Sequence, residues 1–302
     1  MDELRELAIR EALFSHLDDL MMGAAEGTLT WEQTGSFLFH DERIVIRQTR
    51  GRGIHKPAGL EGALSITTTF TPIGKEPPYA DLAGDDGYPR YKYQGSDPNL
   101  STNRALRASM EHELPLVYFL AVLEGVYKPI YPVFIIGDDV NRLEVTLGFN
   151  RSDIGFDVSA LTELERRYAV SETRRRLHQP IFRERVLHAY SSACAVCTIR
   201  HRELLDAAHI IGDSKPEGQP VVPNGISLCK IHHAAFDSNL IGIRPDFRMI
   251  VNSAILKEVD GPMLKHGIQE LHKSIIHLPR STKLRPDKYR LEMRFQEFLS
   301  AH

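Results

Sequence analysis

Cysteine is scarce, at three in 302 residues, and tryptophan occurs once. Three thiols cannot all pair with one another, which excludes the disulfide framework that holds small secreted domains together. No run of 18 apolar residues occurs, so no membrane-spanning helix is expected. Neither sign of charge dominates. The 37 Lys and Arg stand against 40 Asp and Glu, a net charge of −3 that excludes a uniformly basic nucleic-acid coat but permits local basic surfaces. The N-terminus, MDELRELAIR, lacks the basic and apolar regions of a secretory leader, and the chain is expected to be cytoplasmic.

What is present is an ordinary folding composition, 42% hydrophobic and 25% charged. At roughly 100–200 residues per domain, the length predicts about two domains. Residues 1–22 read as an amphipathic helix, with Leu4, Leu7, Ala8, Ala12, Leu13 and Leu17 at helical spacing. From Trp31 to about Phe149 the chain is β-rich: FLFHDERIVIRQ, ALSITTTF, LPLVYFLAVLEGVY and IYPVFIIG are separated by Gly, Pro and Asp clusters. Only NRALRASM (103–110) looks helical there, a pattern of a curved sheet or small barrel. An arginine-rich helix at 161–179 is expected to break at Pro180, with a second helix at 181–190. IGIRPDFRMIVN reads as strand and DKYRLEMRFQEFLSAH as a terminal helix.

The chemistry concentrates in 194–237. Cys194-Ala-Val-Cys197 and Cys229-Lys-Ile-His232 are two short pairs some tens of residues apart, the spacing of a tetrahedral Cys3His zinc site that uses every cysteine of the chain. Between the pairs lie His209 and Asn224; directly after them come His233 and Asp237. A helix over 229–239 places His233 and Asp237 on one face, where histidine and carboxylate suit a divalent ion for phosphate chemistry. Adjacent residues on a helix point about 100° apart, so His232 and His233 can serve different metals.

The order His209, Asn224, His233 inside a cysteine-stapled unit resembles the HNH nuclease motif, the ββα-metal finger, over about 194–240. The local forms AAHI, NGISLC and HHAAFD are similar to those of restriction-type HNH proteins. The resemblance implies that His209 on a strand is general base, that Asn224 orients it or the loop carrying it, and that His233 on the helix binds the catalytic ion. Many such proteins carry a ligand just before the base; here Ala208 stands there, with Asp237 the expected replacement and Asp206 the weaker one. A histidine near neutrality can take a proton from water, and one divalent ion can stabilise charge on the phosphate and the leaving oxygen.

A second, dispersed set of motifs runs through the N-terminal half: Gly53-Ile54-His55-Lys56-Pro57, Gly62-Ala63-Leu64-Ser65, Tyr93-Gln94-Gly95-Ser96, Asn103-Arg104-Ala105-Leu106 and Gly125-Val126-Tyr127-Lys128. In this order they resemble the SRA domain, a reader of modified cytosine; the Tyr-Asp that precedes the last glycine in that family is Leu123-Glu124 here. The resemblance implies base flipping into a pocket formed by Ala63, Ser65, Phe70 or Tyr79, Asp81 and Tyr93, with Asp81 accepting from the cytosine amine. Arg43, Arg47, Arg50, Arg52 and Lys56 are expected at DNA phosphates.

The expected fold is α+β: an SRA/PUA-like curved β-barrel at 1–150, a helical linker at 151–180 and a zinc-stapled ββα-metal domain at 181–302. The expected function is a modification-dependent DNA endonuclease acting at 5-methylcytosine or 5-hydroxymethylcytosine. Its expected cofactors are structural Zn2+ and a catalytic Mg2+, Mn2+ or other divalent transition metal; its partners are double-stranded modified DNA and a second copy of the chain. A non-cleaving reader, or an HNH nuclease with another specificity domain, are the alternatives.

Overall fold

Helix α1 spans Glu3–Met22 in a computed structural model that describes residues 3–24, 27–47, 53–70, 86–155, 162–259 and 261–301. Ile9, Leu13 and Leu17 form its buried stripe, and Leu4 is exposed instead. The remaining inward positions belong to Glu6 and Arg10, an i,i+4 ion pair with both side chains buried. Arg10 donates to the carbonyls of Ala63 and Pro115, at 2.8 and 2.7 Å. Glu6 accepts the N–H groups of Glu61 and Gly62, at 2.8 and 3.2 Å. A buried ion pair is tolerated on these terms, when further hydrogen bonds satisfy both partners.

The chain divides into two units, Met1–Pro180 and Ile181–His302. After α1, the first continues through β1 (Leu29–Thr30), β2 (Ser36–Phe39), β3 (Glu42–Val45), β4 (Ile54–His55), β5 (Ser65–Thr67) and β6 (Arg90–Lys92). It then runs through α2 (Ser101–Glu111), β7 (Leu116–Leu123), β8 (Val126–Asp139), β9 (Glu144–Gly148) and α3 (Glu163–Thr173). The run FLFHDERIVIRQ forms the β2–β3 hairpin, with His40 and Asp41 both at positive φ, as a two-residue turn of this hand requires.

Seven strands make one sheet in the order β4-β5-β7-β8-β9-β6, with β1 on β8. Only β5 and β7 are parallel among these pairs. The sheet curls into a half-barrel, so the architecture is mixed α+β. The curl brings β6 back to β5 although four strand pairings separate them: Tyr91 Oη donates to the Thr67 carbonyl at 2.9 Å. Gly53 lies beneath that contact, where a Cβ would come within 2.2 Å of Tyr91 Oη. The tyrosine ring also meets Tyr118 edge-on at 6.1 Å, so this side chain fastens the two ends of the sheet.

The arginine-rich stretch belongs to the first unit, where Thr173 donates to the Gly87 carbonyl at 2.7 Å. Its charges pair along the helix, Arg167 with Glu163 and both Arg175 and Arg176 with Glu172. Pro180 does not end the helical run. A π-helical turn at Arg174–His178 precedes α4 (Gln179–Ala189), and the wider turn accommodates a residue that lacks an N–H and crowds the carbonyl four positions back.

The second unit continues with β10 (Leu205–His209), β11 (Gly225–Cys229), α5 (Lys230–Asp237), β12 (Ile241–Ile243) and β13 (Met249–Val251), then α6 (Ser253–Lys257), α7 (Pro262–Gly267) and α8 (Lys288–Ser300). Its core gathers Phe182, Val186, Leu205, Ile226, Leu228, Phe236 and Leu291. Arg294 of α8 donates to the Phe236 carbonyl and to Asn239, each at 2.5 Å, and so fixes the end of α5. Among the described residues no helix is long and apolar enough to cross a membrane.

Candidate active site

A strand hairpin followed at once by a helix positions the site. β10 and β11 pair antiparallel, with Leu205 opposite Cys229 and His209 opposite Gly225. Cys229 ends β11 and, in extended conformation, caps α5. The register therefore sets α5 beside the Leu205 end of β10, and His209 at the far end next to the 210–224 loop.

Cys194, Cys197, Cys229 and His232 come together with one ligating atom of each inside 4.8 Å of all the others. Cys197 Sγ is 3.9 Å from Cys229 Sγ; His232 Nδ1 is 3.1 Å from Cys229 Sγ and 3.6 Å from Cys194 Sγ. Zinc bonds of about 2.3 Å to sulfur and about 2.0 Å to nitrogen would give tetrahedral edges near these lengths, roughly 3.5–3.8 Å. The other ring nitrogen, His232 Nε2, lies 2.7 Å from the Gly267 carbonyl of α7. Its proton is donated there, which leaves the Nδ1 lone pair facing the sulfurs, as a ligating histidine requires. Hydrogen bonds from Cys194 and Cys197 hold the Cys229 thiol far below its usual range, so the set already favours a thiolate, the form that binds metal. These four residues fit a zinc ion.

His209 lies with its ring stacked on Phe182, 4.0 Å between centroids at 17°. Gly225, across the hairpin, has no room for a Cβ, which would come within 2.4 Å of Val186 and 2.8 Å of the Phe182 ring. The missing side chain is what lets Phe182 reach His209. Asn224 is fully buried and grips the loop, not the imidazole. Its Oδ1 accepts from the Ile211 N–H at 3.0 Å, and its Nδ2 donates to the carbonyls of Ile211 and Gln219 at 2.9 and 3.1 Å. Of the two roles open to it in sequence, the geometry has it hold the loop.

His233, one-quarter exposed, lies between two carboxylates. Its Nε2 is 3.3 Å from Asp237 Oδ2 and its Nδ1 is 3.7 Å from Asp206 Oδ2. Asp206 is also 3.7 Å from Arg183 Nε and 3.7 Å from Lys230 Nζ. Asp206, Arg183, Lys230, Phe182 and Gly225 are the neighbours that the motif alone did not bring forward.

In the first unit the expected base pocket is only partly assembled. Ala63 and Ser65 are fully buried and their polar groups are spent within the fold: Ala63 N–H on the Ala105 carbonyl and Ser109 Oγ, Ser65 Oγ on the Ile46 carbonyl at 2.6 Å. They support β5 rather than offer contacts to a base. Phe70 is half-buried against the core that α1 covers. Tyr93 is buried, its hydroxyl donates to Asp138, and burial with that bond pushes its pKa up to about 12. Tyr79 and Asp81 lie outside the described residues, as do Arg50 and Arg52.

Arg47, expected at a phosphate, is a correction. Only 2% exposed, its guanidinium is sandwiched between Trp31 and Tyr127 at 3.8 and 3.9 Å. The planar cation stacks on both rings and serves the core. Lys56 turns back to donate to the Leu60 carbonyl, and Arg43 stays exposed on β3, 2.9 Å from Ser36 Oγ.

Residues 194–244 match the family model described as HNH endonuclease. The segment coincides with the hairpin, the helix and the cysteine cluster just described. It is an HNH endonuclease domain, and the protein is a DNA endonuclease. Among solved structures, the chain is similar to one titled modification dependent TagI restriction endonuclease, at 15% identity over 82% of this chain and 85% of that one, with a TM-score of 0.29. No curated protein matches.

Proposed function

We propose that the protein hydrolyses DNA near modified cytosine, with the second unit as cutter and the first as reader. The observation that carries the cutting half is the assembly, around one hairpin and one helix, of His209, Asn224 and His233 beside a four-ligand metal cluster. His209 takes a proton from the attacking water. The resulting hydroxide attacks phosphorus, the bond to the leaving oxygen breaks, and that oxygen takes a proton from solvent. Phe182 holds the imidazole plane and Asn224 holds the loop that follows it. His233 with a neighbouring carboxylate would hold a divalent ion, Mg2+ or Mn2+, which supplies electrostatic stabilisation of charge on the phosphate and leaving oxygen. Zinc on Cys194, Cys197, Cys229 and His232 staples the two ends of the unit.

The reading half rests on the five ordered motifs between Gly53 and Lys128, which fall on β4, β5, the turn after β6, α2 and the β7–β8 hairpin of the half-barrel. Tyr93 and Phe70 are its candidate stacking rings, with Tyr79 and Asp81 completing the pocket. Arg43 is a candidate phosphate contact. A second copy would give the second active site needed to cut both strands. The internally satisfied Ala63 and Ser65 favour a second reading, an HNH nuclease whose first unit recognises another feature of DNA. Binding separates the two. The His209→Ala chain is expected to hold a duplex containing 5-methylcytosine or 5-hydroxymethylcytosine at least tenfold more tightly than its unmodified counterpart at fixed salt. Equal binding supports the second reading.

A further inference from the structure

The two carboxylates beside His233 stand in different relations to it. Asp237 Oδ2 is 3.3 Å from Nε2, within reach of an N–H that donates to it. Asp206 Oδ2 is 3.7 Å from Nδ1, too far for a hydrogen bond. A neutral imidazole carries one N–H. With that proton on Nε2 and directed at Asp237, Nδ1 turns a lone pair toward Asp206. Two electron-rich atoms facing one another repel unless positive charge lies between them. Their separation is one that two ligands, each about 2.1 Å from a common cation, readily adopt. Asp206 is moreover where positive charge already converges, from Arg183 and Lys230, each 3.7 Å away. It is also the less exposed carboxylate, its side chain 31% exposed against 61% for Asp237.

We infer that Asp206, not Asp237, is the carboxylate that binds the divalent ion together with His233 Nδ1. Asp237 is a positioning residue that accepts the Nε2 proton and fixes the ring. This deepens the nuclease reading and rests on its placement of an ion at His233. It moves the acidic ligand from α5 to β10, the strand that carries His209. Three strand residues span about 10 Å, so base and ion-binding carboxylate stand on one rigid element with space between them for a phosphodiester. A carboxylate accepting the far N–H of a ligating imidazole is a common outer partner of a metal site, and Asp237, four residues on along one helix, has that relation.

The test is calorimetric titration of Mn2+ into the zinc-loaded full chain without DNA, with melting curves to confirm folding. Asp206→Asn keeps the shape but removes the charge, and is expected to weaken Mn2+ binding at least tenfold. Asp237→Asn keeps an oxygen that can accept the Nε2 proton, and is expected to bind within about threefold of wild type, while Asp237→Ala loses about tenfold. The reverse pattern, Asp237→Asn losing the site and Asp206→Asn keeping it, overturns the assignment. His233→Ala separates the two levels of the claim. Wild-type Mn2+ affinity in that variant overturns the placement of the ion at His233, and this inference with it. Loss of binding there, with both asparagine variants unaffected, overturns the carboxylate assignment alone.

Discussion

The imidazole of His209 lies flat on the ring of Phe182, centroids 4.0 Å apart and planes 17° from parallel. A strand fixes only the Cα–Cβ direction of a histidine; the ring plane must be set by a neighbour, and here an aromatic face sets it. Phe182→Leu keeps most of the buried volume but removes the face. Cleavage is expected to fall about tenfold or more, because misplaced catalytic groups lose rate steeply, while stability falls by about 1–3 kcal/mol. A single-turnover rate measured beside a melting curve checks both.

Gly225→Ala acts on the same contact from the other side. The new Cβ would overlap Val186 at 2.4 Å and Phe182 at 2.8 Å, so the ring must move. Overpacking of this kind costs about 1–3 kcal/mol. The expected result is a folded but less stable protein with lower activity than Phe182→Leu, since both the ring and the strand spacing shift.

Asn224→Ala leaves the Ile211 N–H and the Ile211 and Gln219 carbonyls without their partner. Each buried group so exposed costs about 1–3 kcal/mol. Hydrogen exchange is expected to speed up in the 211–220 loop before it does so in β11, and cleavage to fall with it. Unchanged exchange there would show that Asn224 serves catalysis by another route.

Metal analysis is expected to find one zinc per chain, and Cys197→Ser to reduce it. Removing zinc is expected to lower the melting temperature of the second unit, because metal binding free energy at such a site contributes to folding free energy. The first unit, with its own core, is expected to melt unchanged.

Acid weakens the first unit through Glu6. Burial works against this carboxylate, but the Glu61 and Gly62 N–H groups and Arg10 outweigh it and hold its pKa below the ordinary value. The folded state thus binds this proton less readily than the unfolded chain. The stabilisation is complete above the unfolded pKa of about 4.3 and is lost as pH falls through the depressed folded value. Glu6→Gln is expected to cost about 3–5 kcal/mol at pH 7, as for a broken buried pair, and to flatten the acid limb of the stability curve.

The cysteine pairs and the His209, Asn224, His233 order were legible in sequence because ligand spacing and motif order survive whatever else the fold does. Asp206 was ranked low by correct alternation along β10: it does face away from His209. What the spacing could not supply was the register, which starts α5 from the strand end opposite Leu205 and brings His233 to Asp206. Phe182 and Gly225 are remote in sequence and meet only through packing. Arg47 looked like a surface cation because residue type favours that; two aromatic neighbours, Trp31 and Tyr127, from other strands and turns make burial tolerable. Pro180 signalled a break that the π turn absorbs. The β-rich texture of 31–149 foretold a curved sheet, but the fastening of its ends by Tyr91 depends on a curl that local pattern does not encode.

The most direct test of modification-dependent cleavage is the initial rate of phosphodiester hydrolysis by the intact chain with Mn2+. Matched duplexes would carry cytosine, 5-methylcytosine or 5-hydroxymethylcytosine, with His209→Ala as control. The expected result is cleavage of at least one modified duplex at ten times or more the unmodified rate, and none by His209→Ala. Equal rates on all three duplexes would contradict the reader, and full activity in His209→Ala would contradict the proposed catalytic centre.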